Sequence, residues 1–271
     1  MSGLGGQIAA LRRQAGVSPP APALKAAVTG DLRRLLGIRN RVQSTSHQDR
    51  SVPGKEVAPG LVYREQSYAW DQVPAGIDAR FAGFGMLPRQ SVLGFDTETT
   101  GLAGGTGTRA FMIGAADWPD DRLRVRQLTL TAMSGEQAML EHFAGWLQPG
   151  CVLVSYNGRC YDAPLLATRY RLARMSNPLA DLTHLDLLFP VRRRFRGVWE
   201  NCRLSTIERQ WLGVVREDDL PGAEAPRAWR DFLRGGSARD LRRVMEHNDQ
   251  DLRSLGALLL RMGRTDGCFD R

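Results

Sequence analysis

Lysine is almost missing from this 271-residue chain: only Lys25 and Lys55 occur, against 35 arginines, and the formal net charge is +8. Arginine suits bidentate phosphate contacts, although a GC-rich genome also enriches it, so the charge fits a polyanionic partner without establishing one. Cysteine is scarce too. Cys151, Cys160, Cys202 and Cys268 form no C-x-x-C pair and no regular spacing, which argues against a disulfide framework or a zinc site and for reduced thiols. No apolar stretch approaches the ~20 residues of a membrane span, and the opening MSGLGGQIAALRRQAG lacks the apolar core of a signal peptide. The expectation is a soluble, cytoplasmic protein with no membrane partner. Internal repeats are missing as well.

Composition divides the chain. Residues 1–60 carry nine Lys/Arg against three acids, with a Pro/Ala stretch at 18–27, and read as a basic, partly flexible N-terminal extension. Short helices fit around 6–14 and 23–37. Residues 61–90 hold Tyr63, Tyr68, Trp70, Phe81 and Phe84 and read as an aromatic segment packing on the core. From 91 the pattern is regular. Strand-like runs at Val92–Asp96, Arg109–Ala116 and Leu123–Thr131 are joined by short turns, as in an antiparallel meander. Ser134 and Gln137 make a capping box for a helix ending near Leu147. A strand at Cys151–Tyr156, a helix at Tyr161–Met175 and a strand at Thr183–Phe189 follow. Helices near 204–212 and 226–234 lead to a long final helix at about 237–262, then a tail at 263–271.

Four carboxylates stand out on this frame. Asp96 and Glu98 follow the apolar run Val92-Leu93-Gly94-Phe95, and residues two apart on a strand share a face. Two acids side by side at the end of a buried strand repel each other and are poorly solvated, which is costly unless cations bind there. Asp162, in SYNGRCYD, sits where a strand gives way to a helix; taken alone it reads as a helix N-cap ahead of Pro164. In the final helix, Asp251 falls on one stripe with Val244, Leu255, Leu258 and Met262, so it needs a metal, an arginine or hydrogen bonds as compensation. His247 lies one turn earlier and can orient and deprotonate a water, or serve as an ordinary structural histidine. Together the acids suit two divalent cations, Mg2+ or Mn2+, which prefer carboxylate oxygens.

The residues also carry a family resemblance. FDTETTGL resembles the first exonuclease motif of the DEDD, or DnaQ-like, superfamily of 3′-to-5′ exonucleases; SYNGRCYD is similar to the second motif and HNDQD to the third. The stretch from about 91 to 262 resembles the bacterial YprB-like branch of that superfamily. Supporting residues are Gly104 to Thr108, Phe111, Gly114, His184 to Leu187, Asn201 to Leu204, Glu208 and Arg216 to Gly222. The resemblance implies an α/β fold, a ribonuclease-H-like mixed β-sheet flanked by helices, spanning 91–262. It implies that Asp96, Glu98 and Asp251 hold the metal that activates water, that Asp96 bridges to a second ion, and that Asp162 supports that ion. Thr100, Gly101 and Leu102 match positions receiving the terminal nucleotide. One departure stands: superfamily members usually have Tyr four residues, or His five residues, before the last Asp, whereas here His247 is four before Asp251.

Arg192-Arg193-Arg194-Phe195-Arg196 with Trp199 joins positive charge to rings, as single-stranded nucleic acid requires. A solvated charged loop is the plainer alternative. With Asn157, these arginines complete the expected substrate contacts. The functional expectation is a two-metal 3′-to-5′ exonuclease acting on single-stranded DNA or RNA with a free 3′ end. Its rivals are a nucleic-acid-binding or scaffolding protein without appreciable catalysis and a structure-selective endonuclease on the same fold.

Overall fold

Apolar residues fill both faces of the central strands, and covering both faces requires helices on each side. The computed structural model describes residues 48–70, 73–101, 107–217 and 219–265. The helices expected at 6–14 and 23–37 lie outside the described residues, as do Leu102 and the end of the tail.

Strands β1 (Lys55–Ala58) and β2 (Leu61–Ala69) come first, then a small hairpin of β3 (Gly76–Asp78) and β4 (Met86–Pro88). The meander follows as β5 (Val92–Thr99), β6 (Ala110–Asp117) and β7 (Arg122–Leu130), and β8 (Val152–Ser155) and β9 (Thr183–Asp186) complete the main sheet. Its seven strands run in the order β1-β2-β7-β6-β5-β8-β9, with β5, β8 and β9 parallel and the remainder antiparallel. Helices are α1 (Glu136–Ala144), α2 (Asp162–Leu172), α3 (Leu188–Phe195), α4 (Leu204–Ile207, extended by a wider turn through Leu212), α5 (Ala225–Leu233) and α6 (Arg239–Thr265). This is the expected ribonuclease-H-like mixed sheet flanked by helices.

Three local expectations are corrected. Residues 61–69 are more than a packing segment: β2 pairs with β7 along its whole length, and Leu61 is fully buried. The Ser134–Gln137 capping box does not form. A tight turn at Met133–Gly135 precedes α1, no side chain caps it, and Gln137 bonds Glu141 at 2.9 Å instead. The strand expected at 183–189 ends at Asp186, whose carboxylate accepts the Leu188 N–H at 3.0 Å and turns the chain into α3. Residues 48–60 are also held on this body. Arg50 donates to the carbonyls of Phe232 and Gly236 at 2.9 and 2.8 Å and lies over the Phe232 ring.

The strand alternation decides what meets the site. Phe95 turns toward α1, with its ring near Phe143, while Gly94 backs onto Leu255 of α6. Asp96 and Glu98 share Gly94's parity and therefore face α6. Opposite Asp96 in register stands Gly114. A Cβ there would come within 2.2 Å of Asn248 Oδ1, so only glycine lets α6 approach this closely.

Candidate active site

Asp96, Glu98, Asp162 and Asp251 are brought to one place, the end of β5, between the start of α2 and the middle of α6. Burial pushes the Asp96 carboxyl well above the usual carboxylate range, and the charges of Asp162 and Asp251 push it further. Glu98 is raised in the same way, by burial and then by Asp96, Asp251 and Asp162. Asp162 is pushed up to about 6, mainly by burial, against the lowering effect of its bond from the Thr97 hydroxyl. Burial raises Asp251 too, opposed by Arg216 and His247. Such shifts are the signature of charges concentrated beyond what the protein itself compensates.

Each acid is held differently. Asn248, fully buried, donates to Asp96 Oδ2 at 2.8 Å and accepts from Gln127 at 2.9 Å; Gln127 also donates to the Met245 carbonyl at 2.8 Å. This chain of amides locks α6 to the sheet under the acids. Glu98 is 8% exposed, and among the described residues no donor reaches its carboxylate. Asp251 is bonded by Arg216, whose guanidinium also makes two 2.7 Å bonds to the buried Glu208. Burial works against the charge on Arg216, but Glu208 and Asp251 outweigh it and hold the guanidinium protonated. An arginine thus sits on one side of the cluster. It engages Asp251, and among the described residues no cationic side chain is bonded to Asp96, Glu98 or Asp162.

His247 stands where its spacing placed it. Its Nε2 is 3.5 Å from Asp251 Oδ2, and its Nδ1 is 2.6 Å from Asp219. The donor set (hard carboxylate oxygens exceeding nearby cations, one of them buried without a donor) fits Mg2+ or Mn2+ in chemistry. Among the described residues no three His, Cys, Asp or Glu side chains already stand at ion-holding geometry.

Beside the acids is a cleft of about 350 Å³ lined by Asp96, Thr97, Thr99, Gly101, Thr108, Tyr156, Asn157, Tyr161, Asp162 and Leu165. Gly101 is therefore at the cleft. Thr99 and Thr108 line the same wall, and the Thr100 hydroxyl between the strands accepts the Arg109 N–H at 3.0 Å. Asn157 has a positive φ of 69°, which asparagine tolerates. Asp186 fixes this turn by accepting the Asn157 and Arg159 N–H groups at 2.7 and 3.0 Å.

A second groove, about 760 Å³, shares Tyr156 and Asn157 with the first and continues past Arg192, Arg196, Trp199, Asn201 and Arg203. Arg192, Arg193 and Arg194 lie in the last turn of helix α3, and Arg196 follows it with an extended backbone. Arg192 and Arg196 both line this groove. Arg193 and Arg194 do not line it. Arg193 donates to the Phe81 carbonyl at 2.6 Å, and Arg194 lies over the Phe195 and Trp211 rings.

Sequence reasoning did not assign roles to Asn248, Gln127, Thr97, Asp186, Asp219 or Arg203. Asn248 had a usable signal: three residues before Asp251 and four before Leu252, it lies on the same buried stripe. Gln127 had none, because its partners Met245 and Asn248 are distant in the chain.

Residues 93–262 match the family model of the RNase_H superfamily. The chain is 36% identical over 171 residues to the uncharacterized protein YprB of Bacillus subtilis, a match covering 63% of this chain and 41% of that protein. A stretch of 66 residues is 39% identical to the PolC-type DNA polymerase III of Mycoplasma pneumoniae, covering 23% of this chain and 4% of that one. The chain thus spans less than half the length of these curated relatives. Among solved structures, the family B DNA polymerase of Pyrobaculum calidifontis aligns with a TM-score of 0.48 at 16% identity, over 65% of this chain and 24% of that chain. Product-bound exonuclease I aligns with a TM-score of 0.37 at 16% identity, over 55% and 44%.

Proposed function

The chain belongs to the RNase_H superfamily, and on that premise we propose that it is a metal-dependent 3′-to-5′ exonuclease releasing nucleoside monophosphates from single-stranded DNA or RNA. The observation that carries the reading is the uncompensated carboxylate cluster at the end of β5 beside a cleft of one-nucleotide size. A module that only binds nucleic acid gains nothing from clustered negative charge facing phosphates. Arg216 supplies one positive charge against four carboxylates, so the site remains open to added cations.

Asp96, Glu98 and Asp251 would hold one divalent cation, with Asp96 and Asp162 turned to a second. When bound, such ions lower the pKa of a water and offset charge building up on a phosphodiester. The chain's own residues do the rest. His247 Nε2, on the Asp251 side, is the nitrogen positioned to take a proton from water. Thr99, Gly101 and Thr108 border the space for a terminal nucleotide. Arg192, Arg196 and Arg203 offer guanidinium groups to the phosphates of the preceding nucleotides, and Trp199 offers a ring to a base.

The test is a panel of single- and double-stranded DNA and RNA oligonucleotides, labelled at either end, with Mg2+, Mn2+ or chelator. The expected result is mononucleotide release from the 3′ end that requires the cation. Binding without hydrolysis would favour the scaffolding reading, and cutting of a circular single strand would favour an endonuclease.

A further inference from the structure

The two nitrogens of His247 have different neighbours. Nδ1 lies 2.6 Å from Asp219 Oδ1 and 3.1 Å from Arg216 Nη1, while Nε2 lies 3.5 Å from Asp251 Oδ2. These contacts exclude one another in part. A guanidinium only donates and a carboxylate only accepts, so Nδ1 cannot both receive a hydrogen from Arg216 and give one to Asp219. The distances decide it: the Asp219 contact is shorter by half an ångström, and Arg216 Nη1 has Asp219 Oδ2 at 3.4 Å as an alternative acceptor. Nδ1 therefore carries the hydrogen and donates it to Asp219. In the neutral ring this leaves the lone pair on Nε2, the nitrogen that faces the acids.

We propose that Asp219 is a positioning residue: it selects the His247 tautomer with the proton on Nδ1 and sets the ring so that basic Nε2 faces Asp251. The loop is built for this. Arg216 anchors its start on buried Glu208, Asp219 meets one edge of the imidazole, and Gly222 passes the other, where an added Cβ would stand 3.8 Å from Nε2. A carboxylate behind an imidazole is the general device for fixing which nitrogen is basic. The proposal rests on the exonuclease reading for its purpose, but the tautomer is a property of the protein alone.

The test reads the two apart. Nitrogen-15 imidazole correlation spectra are recorded on the whole protein in mildly alkaline solution, with His247→Gln identifying the signal. The wild type is expected to show a protonated Nδ1 and a bare Nε2. Asp219→Ala should shift the population toward the Nε2-protonated form that an unconstrained histidine side chain prefers, and Asp219→Glu should restore the wild-type pattern. In oligonucleotide hydrolysis, Asp219→Ala should lower kcat roughly a hundredfold with KM unchanged, and Asp219→Glu should recover part of it. A wild-type ring protonated on Nε2, a tautomer indifferent to Asp219→Ala, or an altered tautomer with undiminished kcat would each overturn the proposal. The expected tautomer in a protein that hydrolyses nothing supports the Asp219 contact and counts against the exonuclease reading.

Discussion

Two ion clusters sit at opposite ends of the same strands and are balanced in opposite ways. At the far end of β6, Asp117 accepts two bonds from Arg124 at 2.8 and 2.7 Å and one from Arg126 at 2.8 Å, and Arg126 lies over the Trp146 ring. One acid there has two cations. At the end of β5, four acids share the single guanidinium of Arg216, and Glu98 has no donor at all among the described residues. In the first cluster the acid is fully matched, and what is left over is positive: Arg126 Nε is buried without an acceptor among the described residues. The second is stable as a charged assembly only with positive charge from outside, because buried like charges raise one another's pKa instead of cancelling. An unmatched cluster held rigidly by a matched frame is what separates a working site from a structural ion pair.

The contrast can be broken in order of expected effect. Asp96→Ala should abolish cation-dependent hydrolysis of an end-labelled oligonucleotide, whereas Asp117→Ala should leave kcat within a fewfold of wild type; appreciable hydrolysis by Asp96→Ala would end the metal-site reading. His247→Ala should slow kcat by roughly a hundredfold or more without loss of stability, and an effect on melting alone would remove it from the chemistry. Arg216→Leu leaves Glu208, 1% exposed, without its partner. It should cost about 3–5 kcal/mol in urea denaturation, against about 1 kcal/mol or less for the more exposed Arg124→Ala.

Proton linkage sharpens the comparison further. The raised carboxyls of Asp96, Glu98 and Asp162 hold protons more tightly folded than unfolded. Their contribution therefore favours the fold at pH below the ordinary carboxylate range and is lost as pH rises, for Asp162 between its ordinary 3.8 and about 6. Mn2+ should accordingly raise Tm more above pH 6 than below pH 5, and equal shifts on both sides would contradict the linkage. The smallest effect concerns the groove. Arg196→Ala should raise KM about tenfold or less at constant kcat and flatten the salt dependence, while Arg193→Ala should change neither.

Much of this was legible in the chain. The Asp96–Glu98 pair was readable because strand parity is fixed at two residues, and Asp251 because helical periodicity set it alone on an apolar stripe. The arginine run was read as one patch because nothing local revealed that α3 begins at Leu188, after Asp186 turns the chain. In the fold Arg192 and Arg196 line the groove, while Arg193 turns to the Phe81 carbonyl and Arg194 to the Phe195 and Trp211 rings. The bond from the Arg109 N–H to the Thr100 hydroxyl was likewise not legible, because motif matching does not specify that partner.

Local periodicity alone established which acids belong together on β5 and on α6, because repeat geometry is a property of the backbone. The meeting of those elements was decided in three dimensions. Gly114 admits α6 to contact distance, Asn248 and Gln127 pin it there, and Arg216 and Asp219 arrive from a loop remote in the chain. Those contacts depend on long-range packing and on competition for hydrogens, and neither is written in the spacing of residues along a strand or a helix.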